Sequence, residues 1–177
     1  MPFWDPLARL LRKARRGDRE AFRALYGALY PRVTAFVARR SGEPDEHVAR
    51  TFHKLLEQLG SFDARRGAVL PWVLSIARNE LIDAARARKP EAEIPELLDP
   101  RTPLTRLIEE EELRALRDEL HDLDPQTREL LSLRYGEGLS HADIAQMLGL
   151  SHDTVRQRIS RAVRELRDRL SEKGALT

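Results

Sequence analysis

The stretch that decides the fold is SHADIAQMLGLSHDTVRQRISRAVRELRDRL, Ser140 to Leu170. Ser140 and Asp143 have the spacing of a capping box. The serine hydroxyl can accept from the first turn, and the acid suits the positive helix end. Ile144, Ala145 and Leu148 then share an apolar face. Gly149-Leu150-Ser151 supplies a glycine where a helix stops, an apolar plug and a new N-cap. From His152 onward, Val155, Ile159, Ala162, Val163, Leu166 and Leu170 recur at helical spacing. Two helices joined by a three-residue, glycine-led turn predict a helix-turn-helix. The opposite face of the second helix collects Asp153, Arg156, Gln157, Ser160, Arg161 and Arg164, with Thr154 beside them. Arginine reads guanine bidentately and glutamine reads adenine, while flanking arginines suit phosphate. Such a helix fits a major groove. Arg158 lies on the flank, where an ion pair with Asp143 is expected to hold the two helices.

Working outward, Asp124-Pro125 reads as an N-cap followed by proline at the first helical position, opening a helix through Leu130, Leu131 and Leu133 to about Tyr135-Gly136. Helical periods continue upstream in Phe22, Leu25, Leu29, Val33 and Phe36, in Val48, Phe52, Leu55 and Leu59, and in Leu104, Ile108, Leu113, Leu116 and Leu120. No segment shows sustained strand-like alternation, so the expected fold is all-α.

Lys89–Pro103, KPEAEIPELLDPRTP, holds four of the ten prolines and reads as a semi-extended acidic linker. It divides the chain into two small helical domains, residues 1–89 and 104–177, with residues 90–103 between them. Charge follows the same division. Residues 1–89 carry 18 Lys and Arg against 10 Asp and Glu, residues 90–125 carry 4 against 12, and residues 126–177 carry 9 against 7. The net charge of +2 therefore conceals a strongly basic first module, which is suited to phosphate.

Several classes are excluded or disfavoured. With no cysteine there is no disulfide framework, thiolate zinc site or cysteine nucleophile. His47, His53, His121, His141 and His152 lack the paired spacing of a helical metal site, and each reads as a surface histidine. Neither a glycine-rich phosphate loop nor a nucleophile elbow is present. No cofactor, metal or catalytic residue is expected, and the chain is not read as an enzyme. No apolar run approaches a bilayer span. The opening Met1-Pro-Phe-Trp-Asp-Pro lacks the features of a signal peptide, so a cytoplasmic location is expected.

In the first module, Arg65-Arg66-Gly67 forms a basic loop before a helix expected to start at Pro71-Trp72. Asn79, Asp83 and Arg86 share one polar face of that helix, with Arg78, Arg88 and Lys89 around them. A basic loop beside such a helix can grip a separated DNA strand through stacking and phosphate contacts. Trp72, with Ile76 and Ala77, reads equally as core.

The two halves together resemble the extracytoplasmic-function (ECF) sigma factors of bacterial RNA polymerase, in the sigma-70 family. The resemblance is carried by GDREAFRALYGALYPRV at Gly17–Val33, FDARRG at Phe62–Gly67, PWVLSIARNELIDAARARK at Pro71–Lys89 and LDPQTRELLSLRYGEG at Leu123–Gly138 with the helix-turn-helix that follows. It implies that residues 1–89 are region 2, which binds the beta-prime clamp of core polymerase and opens the −10 element. Residues 104–177 would be region 4, which reads the −35 element and sits on the beta flap, with the linker threading the polymerase. By position, Arg65, Arg66, Arg78, Asn79, Asp83 and Arg86 would meet single-stranded −10 DNA. Thr154, Arg156, Gln157, Ser160, Arg161 and Arg164 would meet double-stranded −35 DNA. Asp45, Glu46 and Phe52 fit the clamp-binding helix, but Ala49 stands where the family has glutamine and Leu56 where it usually has tryptophan. An anti-sigma factor is a further implied partner. Two other readings remain open on residues alone. One is a sigma mimic that captures an anti-sigma factor, and the other is a stand-alone helix-turn-helix regulator resting on residues 123–170.

Overall fold

The structure, a computed structural model, describes residues 5–65, 67–88 and 110–174. The linker expected at 90–103, the domain edges beside it, Arg66, Lys89, Leu104 and Ile108 lie outside the described residues. Every regular element among the described residues is helical, as the apolar periods predict. The chain divides into two compact units, one carrying helices α1–α4 and the other α5, α6, most of α7 and α8.

The first unit comprises α1 (Pro6–Ala14), α2 (Arg19–Ala38), α3 (Pro44–Gln58) and α4 (Val69–Arg88). A turn of 3₁₀ helix, Leu59–Ser61, closes α3. Its core is formed by Leu11, Leu25, Leu29, Val33, Phe36, Val37, Val69, Val73 and Leu74, all almost wholly buried. Pro31 lies inside α2, where it removes one backbone donor. The helix continues because Leu29, Val33 and Phe36 on either side of it are packed in the core. Asp5 caps two helices at once. One carboxylate oxygen accepts from Leu7 N at the start of α1, and the other accepts from Val69 N at the start of α4, each at 2.9 Å. That second bond explains a departure from expectation: α4 begins at Val69, two residues before Pro71. Proline in the first turn costs no hydrogen bond, so it marks the start of a helix only to within a residue or two.

The second unit comprises α5 (Glu110–His121), α6 (Pro125–Leu131), α7 (His141–Leu148) and α8 (His152–Glu172). A π-helical turn, Ser132–Gly136, extends α6. Leu130, Leu133, Ile144 and Val155 fill its centre. Asp124 accepts from Thr127 N at 3.0 Å, the N-cap expected before Pro125. Glu119 of α5 is buried, and Arg169 (3.3 Å) and Lys173 (2.5 Å) converge on it from the end of α8. The bond from Lys173 first, and then that from Arg169, hold the Glu119 carboxyl below its usual pKa despite the opposing effect of desolvation.

Candidate nucleic-acid interface

In the second unit, the helix-turn-helix is assembled by local chemistry. Ser140 Oγ accepts from Asp143 N at 3.1 Å, and Ser140 N donates back to the Asp143 carboxylate at 3.2 Å, closing the capping box. Gly149 ends α7 in the left-handed region at φ 67, a conformation that side chains with a Cβ resist. Ser151 then caps α8 by accepting from Thr154 N at 3.0 Å. Leu150 N donates to Ala145 O at 2.9 Å, tying the turn back onto α7.

Beyond these caps one side of α8 is exposed and the other buried. Arg156, Gln157, Ser160, Arg161 and Arg164 are exposed, whereas Val155, Ile159, Ala162 and Leu166 are buried. Arg156 lies 3.6 Å from Asp153. Thr154 is half-buried, and its hydroxyl lies 2.7 Å from Ser151 Oγ, so it belongs to the cap as much as to the face. The expected Arg158–Asp143 ion pair does not form. Asp143 is occupied by Ser140, and Arg158 instead donates to Gln126 Oε1 of α6 at 3.0 Å. The capping box claims the carboxylate first because its partner is three residues away on the same turn.

At the mouth of this motif two histidines meet. His141 begins α7 and His152 begins α8, with ring centroids 6.0 Å apart. Burial, followed by the charges of Arg134, His152 and Arg156, pushes the His141 pKa down.

In the first unit, Asn79, Asp83 and Arg86 are exposed along one face of α4, and Arg78 is half-buried beside them. Arg65 is exposed in the loop before α4, where Asp63 accepts from Arg65 N at 2.9 Å. Phe62 is buried against the half-buried Trp72, with ring centroids 5.1 Å apart, which places Trp72 at the edge of the core. Arg15, the C-cap of α1, donates to the carbonyl of Leu59 and, at 2.7 Å, to that of Phe62, fixing the start of this loop.

Between α3 and α4 lies a charge cluster that the sequence reading missed. Glu80 is 3% exposed. It receives a bond from Lys54 and lies 3.5 Å from Arg50 and 3.7 Å from His47 Nδ1. Burial raises the Glu80 pKa, but the bonds and charges of Lys54 and Arg50 outweigh it and hold the carboxyl below its usual value. The bond to Glu80 in turn raises the pKa of Lys54. His47 is buried, which corrects the expectation of a surface histidine. Helical spacing places it on the α4-facing side of α3, and only the fold puts a carboxylate there.

On the outer side of α3, Asp45 and Glu46 are exposed in the first turn, and Glu46 accepts from Arg50 at 2.5 Å. Phe52 is mostly buried beneath two tyrosines of α2, its ring 4.5 Å from Tyr26 and 6.0 Å from Tyr30. Tyr26 and Tyr30 stack at 5.4 Å and are about two-fifths exposed, and Leu56 is half exposed. The apolar surface here is therefore presented by Tyr26, Tyr30 and Leu56 more than by Phe52. Their signal in the sequence was the four-residue spacing Phe22, Tyr26, Tyr30, which is distinct from the buried period of α2. Among the described residues no group of three or more acidic, cysteine or histidine side chains could hold a metal. No described helix is long and apolar enough to cross a membrane.

Comparison with known proteins agrees with this division. The family model for sigma-70 region 2 matches residues 25–91, and that for sigma-70 region 4 matches residues 120–168. The RNA polymerase sigma factor CarQ of Myxococcus xanthus is 30% identical over 168 residues, covering 92% of this chain and 96% of that protein. The ECF RNA polymerase sigma factor BldN of Streptomyces coelicolor is 29% identical over 166 residues, covering 89% of this chain. The match spans 63% of BldN's length. Two solved structures share the fold. CnrH, in complex with the cytosolic domain of CnrY, has a TM-score of 0.60 at 26% identity, with 92% of this chain and 96% of that one covered. RpoE of Bartonella quintana, in complex with the anti-sigma factor NepR, has a TM-score of 0.62 at 23% identity, with 85% and 96% covered. With region 2 and region 4 matched in turn along the chain and CarQ covered over nearly its whole length, the chain belongs to the ECF RNA polymerase sigma factors of the sigma-70 family.

Proposed function

We propose that the chain directs core RNA polymerase to a restricted set of promoters in the cytoplasm, leaving RNA synthesis to the polymerase. The observation that carries this reading is the exposed row Arg156, Gln157, Ser160, Arg161 and Arg164 on a helix whose other side is buried and whose start is capped. That row reads the −35 duplex, with bases met by the early turns and phosphate by the later ones. In the first unit, Arg65, Arg78, Asn79 and Arg86, with Arg66 outside the described residues, meet the separated −10 strand, and Asp83 lies among them. Asp45, Glu46 and the ledge of Tyr26, Tyr30 and Phe52 form the polymerase-binding side, with region 4 on the beta flap. The aromatic ledge supports that assignment where Leu56 and Ala49 depart from the family pattern. An anti-sigma factor that covers these faces is the natural control, as RpoE of Bartonella quintana was solved in complex with the anti-sigma factor NepR.

The test is transcription with reconstituted core polymerase on fragmented host DNA. A sigma factor gives starts at a small, reproducible set of sites that require both core and this chain. A sigma mimic gives none, and a stand-alone regulator binds duplex without core; either result ends the proposal. Pull-down from unstressed cells is expected to recover an anti-sigma protein, and recovery of core polymerase alone would end that part of the reading.

A further inference from the structure

A carboxylate on a surface that meets phosphate is unfavourable unless its charge is cancelled. Asp83 is such a group, since it shares a face of α4 with Asn79 and Arg86 and is 63% exposed. A cation reaches it from the neighbouring helix. Lys54 of α3 places its Nζ 3.6 Å from Asp83 Oδ2. Lys54 is itself anchored by its bond to the buried Glu80, one turn before Asp83. An ordinary surface pair loses much of its Coulomb energy to the entropy of holding two long side chains together. Here the buried carboxylate already holds one of them.

We propose that Lys54 is a further residue of the strand-facing surface, a positioning residue that holds Asp83 in a neutral ion pair. The ligand is the sugar-phosphate backbone of single-stranded DNA, which then meets no net negative charge at Asp83. The assignment rests on the reading of α4 as strand-facing. It gives Asp83 a role different from a base contact, since its Oδ2 faces Lys54.

Lys54 and Asp83 sum to zero charge, and Glu80, which Lys54 also meets, is balanced by Arg50 at 3.5 Å. Lys54→Met leaves one negative charge, Asp83→Asn leaves one positive charge, and the double variant is neutral again. Each charge at a single-strand site changes the slope of log affinity against log salt by about 0.7. The test uses the full chain assembled with core polymerase and a fluorescent, randomised single-stranded 15-mer, titrated at several salt concentrations. Core affinity and melting temperature are measured for each variant.

Lys54→Met is expected to weaken binding at low salt about fivefold, the effect of one charge at about 4 Å in water, and to flatten the slope. Lys54→Arg retains wild-type behaviour. Asp83→Asn binds at least as tightly with a steeper slope, and the double variant returns close to wild type. Unchanged binding by Lys54→Met overturns the proposal. So does weakened binding by Asp83→Asn with no recovery in the double variant, which is the behaviour of a base contact. Asn79→Ala separates the two levels. If it weakens binding while Lys54→Met does not, only the Lys54 assignment falls. If neither has an effect, the strand-facing reading of α4 falls with it.

Discussion

Arg156 and Gln157 stand in the first two turns of α8, and Arg164 stands two turns later on the same exposed side. Eight residues of helix are about 12 Å, so groups at the two ends cannot address the same part of a groove. Substituting Arg156 or Gln157 by alanine is therefore expected to weaken −35 binding in a base-dependent way, by about 1–3 kcal/mol. Arg164→Ala should weaken it equally on all sequences and lower its salt dependence. Equal losses on every duplex from all three would sink the base-reading assignment. A second expectation concerns His141, whose protonation is opposed by burial and then by Arg134, His152 and Arg156. The folded unit prefers the neutral ring, whereas the unfolded chain takes up the proton near the ordinary histidine pKa of about 6.5. The stability this contributes is present above that pH and is lost as pH falls through it. Urea midpoints of the second unit between pH 8 and pH 5.5 should show the decline, and His141→Gln should flatten it. His141 and His152 look unrelated in the sequence, eleven positions apart, because only the turn between α7 and α8 brings them together.

At the scale of the element, most of what ends or starts a helix is written within four residues of its end. The capping box at Ser140, the left-handed Gly149 and the Asp124 cap could all be read from the sequence, since each depends on neighbours along the chain. A Cβ at Gly149 would have open space around it, so Gly149→Ala should cost only the backbone strain, about 1–2 kcal/mol. A thermal melt of the second unit measures it, and an unchanged midpoint would show that the turn can relax. The bond from Val69 N to Asp5 was not legible, because the two residues are 64 positions apart. Asp5→Ala should lose about 1 kcal/mol for each of the two caps, whereas a variant touching α1 alone would lose one. The starting residue of α4 was misjudged for the same reason.

Across the whole molecule, each unit has its own buried leucines, which makes their stabilities separable. Leu29→Ala and Leu133→Ala each remove a side chain with no exposure and should cost about 2–5 kcal/mol. Both tryptophans, Trp4 and Trp72, precede the linker, so indole fluorescence reports the first unit. Leu29→Ala should shift that transition to lower urea. Leu133→Ala should leave it in place and shift only part of the helical circular dichroism; a common shift of both signals would show that the units unfold together. The sequence by itself determined the all-α class, the helix-turn-helix with its caps, and the exposed row on α8, because these follow from periodicity and from bonds between near neighbours. Only the tertiary structure decided that Glu80 is buried among His47, Arg50 and Lys54, that Asp83 faces Lys54, that Arg158 meets Gln126, and that Tyr26 and Tyr30 cover Phe52. The physical reason is that a side chain's charge partner and its burial depend on which helices pack together, and helical spacing gives the face of a residue without giving what lies opposite that face.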